Sequence, residues 1–239
     1  MKFIVILFLL FTSIYTLAQQ SDSQLAYTYY QAKEYDKAEA TLKKNPNNDI
    51  GYEAKLKKAM LAYYAGDLLW AKAQFDVLKG ATSKLISNDA IQMSHFIHMN
   101  YEAEGDNRDL EKMGRTEYLL YKQQFQEVLP RLDSLIGHCS PGISDYATLQ
   151  KARSLCACFQ DEEAAKLLSE LKDRSEQVYI KAEALFQLAG LKRKQKELQQ
   201  AKELYRLLVT DYSGSVYSIE AAKLYRDLEA AEQTEVNNL

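Results

Sequence analysis

The chain predicts an all-α fold of stacked antiparallel helix hairpins, and three observations lead there. A small residue is followed four positions later by a bulky apolar one at Ala38 and Leu42, Ala71 and Phe75, Ala164 and Leu168, and Ala201 and Tyr205. Val128 and Leu132 stand in for the pair within the long central interval. Positions four apart share a helix face, so each pair marks the same stripe of one helix. The successive intervals are 33, 57, 36 and 37 residues, and a recurrent period in the thirties is the mark of stacked repeats. Finally, nine glycines and three prolines leave few breakers in 239 residues, while Ala, Leu, Lys, Glu and Gln favour helix.

The elements follow in order from patterning and punctuation. Residues 1–18 read as a signal peptide: Lys2 supplies the positive end and Phe3 to Phe11 an unbroken apolar run. Thr16-Leu17-Ala18 places small residues where a signal peptidase reads, so cleavage is expected after Ala18. The competing reading is a retained membrane anchor, but the run falls short of the roughly 20 residues that span a bilayer. The mature chain is therefore expected to be exported, periplasmic or attached to the cell envelope, with no transmembrane segment.

A first hairpin is expected near 22–46, ended by Asn45-Pro46-Asn47-Asn48, and a second near 50–80, hinged at Ala65-Gly66-Asp67. Residues 81–105 form an irregular insert, in which Ser87-Asn88-Asp89 can cap a helix reaching about Glu102. The third hairpin lies near 106–137. Its second helix contains Pro130, which costs a backbone hydrogen bond in a helix interior, and the helix is expected to start near Glu127 so that Pro130 falls in the first turn. Ser140-Pro141-Gly142 breaks the chain before hairpins near 143–172 and 176–212, with Ser175 as N-cap of the helix carrying Glu176 in its first turn. Ser213-Gly214-Ser215 precedes a terminal helix near 216–230, and 233–239 reads as a flexible tail. The connections within hairpins are short, which makes neighbouring helices antiparallel.

The formal charge is −3, and −4 once Lys2 leaves with the signal peptide. That mild acidity argues against nucleic acid or anionic lipid as a partner, since both reward clustered Lys and Arg. Cys139, Cys156 and Cys158 are odd in number; in an oxidising compartment Cys139 could pair with either of the others, and the alternative is three small buried side chains. His95 and His98, at i and i+3 with Asp89 and Glu102 further along, share a spacing that serves a metal, but a zinc site needs a third or fourth ligand and none is placed there. No Gly-x-Ser-x-Gly elbow, His-Glu-x-x-His helix or glycine-rich phosphate loop is present, so neither a cofactor nor an enzymatic activity is expected.

Leu25, Ala26, Tyr29, Tyr35, Ala38 and Leu42, then Gly66, Ala71 and Phe75, then Leu188, Ala189, Leu198, Ala201, Tyr205 and Leu208 fall at signature spacings of one family. On these residues the chain resembles the tetratricopeptide repeat proteins over most of 22–212, with Lys33 and Lys196 standing where the family often has glycine. Phe125 and the pairs at Val128 and Ala164 carry more degenerate copies. Leu17-Ala18-Gln19-Gln20 is similar to signal-peptide ends common in Bacteroidota, and Gly66 to Asp89 is similar to exported bacterial repeat proteins. The resemblance implies a right-handed superhelical solenoid of about five to six hairpins. It also assigns the small residues to the close crossing of the two helices in a hairpin.

Carrying over the family's concave lining positions selects Tyr27, Tyr30, Tyr63, Tyr64, Tyr121, Arg153, Arg193 and Lys194. Tyrosine offers apolar area and a hydroxyl at little rotamer cost, and Arg and Lys can hold carboxylates. The implied role is a scaffold that binds a peptide or protein partner. The alternative is a structural component that self-associates end to end through Val216, Ile219, Ala222 and Tyr225 on the last helix.

Overall fold

Runs of Ala, Leu, Lys and Glu between isolated breakers become helices within residues 50–80 and 84–237, the part of the chain that the computed structural model describes. The expected leader and first hairpin, with Tyr27, Tyr30, Ala38 and Leu42, lie outside the described residues. The ten helices among the described residues are α1 (Ile50–Tyr64), α2 (Leu68–Leu78), α3 (Lys84–Asn100), α4 (Arg108–Tyr121), α5 (Phe125–His138), α6 (Pro141–Ala157), α7 (Asp161–Arg174), α8 (Val178–Lys194), α9 (Leu198–Asp211) and α10 (Ser218–Asn237). None of them is long and apolar enough to cross a membrane.

The chain divides into two units, Met1–Tyr101 and Glu102–Leu239. In the first, α1 packs on α2, α2 on α3, and α3 reaches back to α1. Ala59, Ala62, Tyr63, Ala71, Phe75, Ala90, Phe96 and Ile97 fill this core at 1% exposure or less. In the second unit each helix from α4 to α10 packs on the next, and α4 with α6 and α6 with α8 also touch. The described chain is thus an array of antiparallel helices packed mainly on their sequence neighbours.

Helices α2, α5, α7 and α9 bury one stripe each, and the stripes are the same. Ala71, Phe75 and Leu78 on α2 correspond to Val128, Leu132 and Leu135 on α5, Ala164, Leu168 and Leu171 on α7, and Ala201, Tyr205 and Leu208 on α9. The spacing i, i+4, i+7 keeps all three residues on one face. Helices α6 and α8 differ, because partners on both sides bury most of their circumference, from Ile143 to Leu155 and from Ile180 to Leu191.

The turn ahead of each stripe is also repeated. Gly66, Gln123, Phe159 and Lys196 all have positive φ, at 85°, 57°, 61° and 63°. Each stands five residues before the first member of a stripe. In the α6–α7 turn the N–H of Phe159 donates to the Cys156 carbonyl at 3.1 Å and that of Gln160 to Leu155 at 2.9 Å. The same two bonds close the α1–α2, α4–α5 and α8–α9 turns, satisfying carbonyls that a helix end leaves open. One left-handed residue and two reverse bonds therefore set the geometry of every hairpin turn named here.

Several boundaries differ from the sequence expectation. Helix α5 begins at Phe125, so Pro130 is its sixth residue and lies beyond the first turn. Pro130 is exposed, and the buried stripe of Val128, Leu132 and Leu135 holds the helix together around it. Pro141 opens α6 at the first helical position, where its missing N–H costs nothing. Ser175 is the C-cap of α7, and its Oγ accepts the Gln177 N–H at 3.2 Å instead of capping α8, which starts at Val178. Helix α10 continues past 230 to Asn237, drawn on by Glu232, which accepts hydrogen bonds from Gln199 and Lys202 of α9.

Candidate partner-binding surface

Helices α4, α6 and α8 are the first helices of their hairpins, and the repeated turns fix their register. Counting back from Gln123, Phe159 and Lys196 puts Glu117, Arg153 and Gly190 at equivalent positions on adjacent helices. Tyr146, Gln150 and Arg153 stand at i, i+4 and i+7 on α6 and so share a face.

These side chains join into a polar ladder. The Tyr146 hydroxyl donates to Glu117 Oε1 at 2.8 Å, and Gln150 Nε2 donates to the same oxygen at 3.3 Å. Arg153 Nη1 donates to Gln150 Oε1 at 3.3 Å, and the Arg153 guanidinium forms an ion pair with Glu183 of α8. Gln187 Nε2 donates to Glu183 Oε1 at 2.8 Å. Hydrogen bonds together with the Arg153–Glu183 ion pair therefore link α4 across α6 to α8. Glu183 is 2% exposed and Glu117 7%, whereas the Arg153 side chain keeps 41% of its surface in solvent.

A second strut lies nearby on α6. Arg174, from the end of α7, donates to Thr148 Oγ1 at 2.8 Å and pairs with Asp145 at 3.3 Å. Burial raises the Tyr146 hydroxyl well above its ordinary pKa, and the Glu117 carboxylate adds to that while Arg153 opposes it. Tyr179 is raised by burial first and then by Asp145 and Glu117. Both phenols stay protonated at neutral pH, so Tyr146 remains the donor its bond to Glu117 requires.

The residues selected from the sequence separate into three groups. Tyr63 and Tyr64 are buried at 0% and 7%, with the Tyr63 ring edge-on to Phe96 at 6.5 Å. Helix α3, from the segment that matches no repeat, supplies Phe96, and its packing takes these tyrosines into the core of the first unit. Arg153 belongs to the ladder. Tyr121, Arg193 and Lys194 are exposed at or near the C-terminal ends of α4 and α8, where Tyr121 stacks on Tyr118 at 6.4 Å and Lys194 pairs with Asp161 and lies 5.9 Å from the Phe159 ring. Ala71, Phe75, Val128, Leu132, Ala164, Leu168, Ala201 and Tyr205 are all 0–1% exposed.

Glu117, Tyr146, Gln150 and Glu183 are absent from the sequence selection. The register of the turns would have brought Glu117 and Arg153 together, but a single helical Glu gives no sign of whether it faces water or a neighbour. Burial, followed by His98 and Lys79, lowers the His95 pKa. Among the described residues no three of His, Cys, Asp or Glu converge so as to hold a metal. Compared with family models, curated proteins and solved structures, the chain shows no match.

Proposed function

We propose that this protein is an exported, non-enzymatic scaffold of the bacterial periplasm or cell envelope, a tetratricopeptide-like solenoid that holds a peptide or protein segment on the face carried by α4, α6 and α8. The observation that carries the reading is the ladder from Glu117 to Gln187, which ties three helices of that face together before any partner arrives. Rigidity in the free state lowers the ordering cost of binding, and each added hairpin extends the same surface. Tyr121, Arg193 and Lys194 supply exposed apolar area and positive charge close to the ladder's ends.

End-to-end self-association is the competing reading, and α10 weighs against it. Tyr225 packs against the α8–α9 core and donates to Glu229 at 2.7 Å, so it does not face outward. Ile219 is 75% exposed but is followed along the helix by exposed Lys223, Arg226 and Asp227.

The test is affinity capture from the native envelope with the mature chain, compared with a Tyr121→Ala, Arg193→Ala double variant. The scaffold reading expects a discrete set of proteins enriched by the wild type and depleted at least tenfold by the variant, with equal melting temperatures. An identical set from both would remove the groove reading.

A further inference from the structure

The three cysteines sit at the two ends of one helix. Cys139 is the C-cap of α5 and stands two positions before Pro141, the first residue of α6, whereas Cys156 is in the last turn of α6 and Cys158 is its C-cap. Helix α6 has 17 residues. At 1.5 Å per residue its ends are about 25 Å apart, and a disulfide needs Cα atoms within roughly 7 Å.

Neighbouring contacts fix both ends. Cys139 closes α5, and the electrostatic influence of Asp109, in the first turn of α4, on its thiol puts it at the edge where α4 begins and α5 ends. The other two belong to the opposite edge, at the α6–α7 turn, where Lys194 pairs with Asp161. Cys156 and Cys158 are no closer to pairing with each other. The Cys158 N–H still bonds to the Ser154 carbonyl at 3.0 Å, so the backbone between them is helical and the two side chains leave it about 160° apart. All three are free thiols.

We infer that this fold closes no disulfide within the chain, and that its stability is independent of thiol redox state even in an oxidising compartment. The inference rests on the length of α6 and on the i, i+2 placement of Cys156 and Cys158, and is separate from the scaffold reading. Burial and the Asp109 carboxylate push the Cys139 thiol up to about 11, so labelling is best done in denaturant. Full-length protein secreted into an oxidising compartment, purified without reductant and alkylated with iodoacetamide in urea, should carry three carbamidomethyl groups per monomer. Its melting temperature should be the same with and without dithiothreitol. A monomer taking up a single label, with Cys139 joined to Cys156 or Cys158 in the peptide map, would overturn the inference. So would a melting temperature that falls on reduction in the wild type but not in Cys139→Ser.

Discussion

Glu183 lies in a stretch of α8 that is otherwise apolar and buried, between Ala182 and Ala184. Its negative charge is offset by Arg153 and by the Gln187 amide. Arg153→Met keeps the aliphatic volume and removes the cation, leaving a buried carboxylate with one neutral donor. Breaking a buried pair from one side costs about 3–5 kcal/mol, and the solvent reaching Arg153 puts this case at the lower end, about 3 kcal/mol. Glu183→Gln, which removes the charge that needs offsetting, should cost about 1 kcal/mol. Urea titration distinguishes these outcomes, and equal midpoints for wild type and Arg153→Met would mean that the ladder does not hold α6 to α8. Packing sets the opposite limit at Ala201, which is 0% exposed in a cluster with Tyr205, Leu208 and Ala189. Ala201→Leu has to displace these neighbours and should lose about 1–3 kcal/mol in the same titration.

At the scale of the element, the turns carry the argument. A left-handed residue with a side chain costs about 1–2 kcal/mol relative to its right-handed form, and glycine avoids that cost. Only one of the four repeated turns uses glycine, at Gly66. Phe159 is 86% exposed, so burial of its ring does not explain its presence there. Phe159→Gly and Lys196→Gly should each raise stability by up to about 1 kcal/mol, and Gly66→Ala should lower it by about the same amount. Thermal melts of the three variants test the assignment, and a loss of stability in Phe159→Gly would contradict it. The stripe-bearing helices α5, α7 and α9 were legible in the sequence because a single buried face leaves a clean i, i+4, i+7 pattern. Helices α6 and α8 were legible only from the turns that bound them, since burial on two sides blurs their periodicity. Pro130 misled for a related reason: its cost is local, whereas the three-residue stripe around it acts over two turns of α5.

At the scale of the whole molecule, the sequence carried the all-helical character and the order of neighbours, but not the pairing of side chains across α4, α6 and α8. Arg153 was reached through repeat register. Its partner Glu183 was not, because an ion pair between residues 30 positions apart leaves no trace in one chain's periodicity. Register selected Tyr63 and Tyr64 as well, and there α3 intervened, a helix for which no repeat pattern gave warning.

The C-terminal end of the array gives the remaining prediction. Ala221, Leu224, Tyr225 and Leu228 of α10 cover Phe186, Tyr205 and Leu208, with Tyr217 stacked on Phe186 at 5.1 Å. Lys202 of α9 adds a pair with Glu232 at 2.8 Å. Where helices pack mainly on their sequence neighbours, each is stabilised mainly by them, and α10 covers the apolar surface that α8 and α9 present to it. Ending the chain after Ser213 would uncover that surface without touching the ladder. The truncated protein is expected to melt at a lower temperature and to associate as its concentration rises, while the full chain scatters light as a monomer over the same range. A truncated chain that stays monomeric with an unchanged melting temperature would mean that α10 is an appendage, and would reopen Ile219 and Val216 as a stacking face.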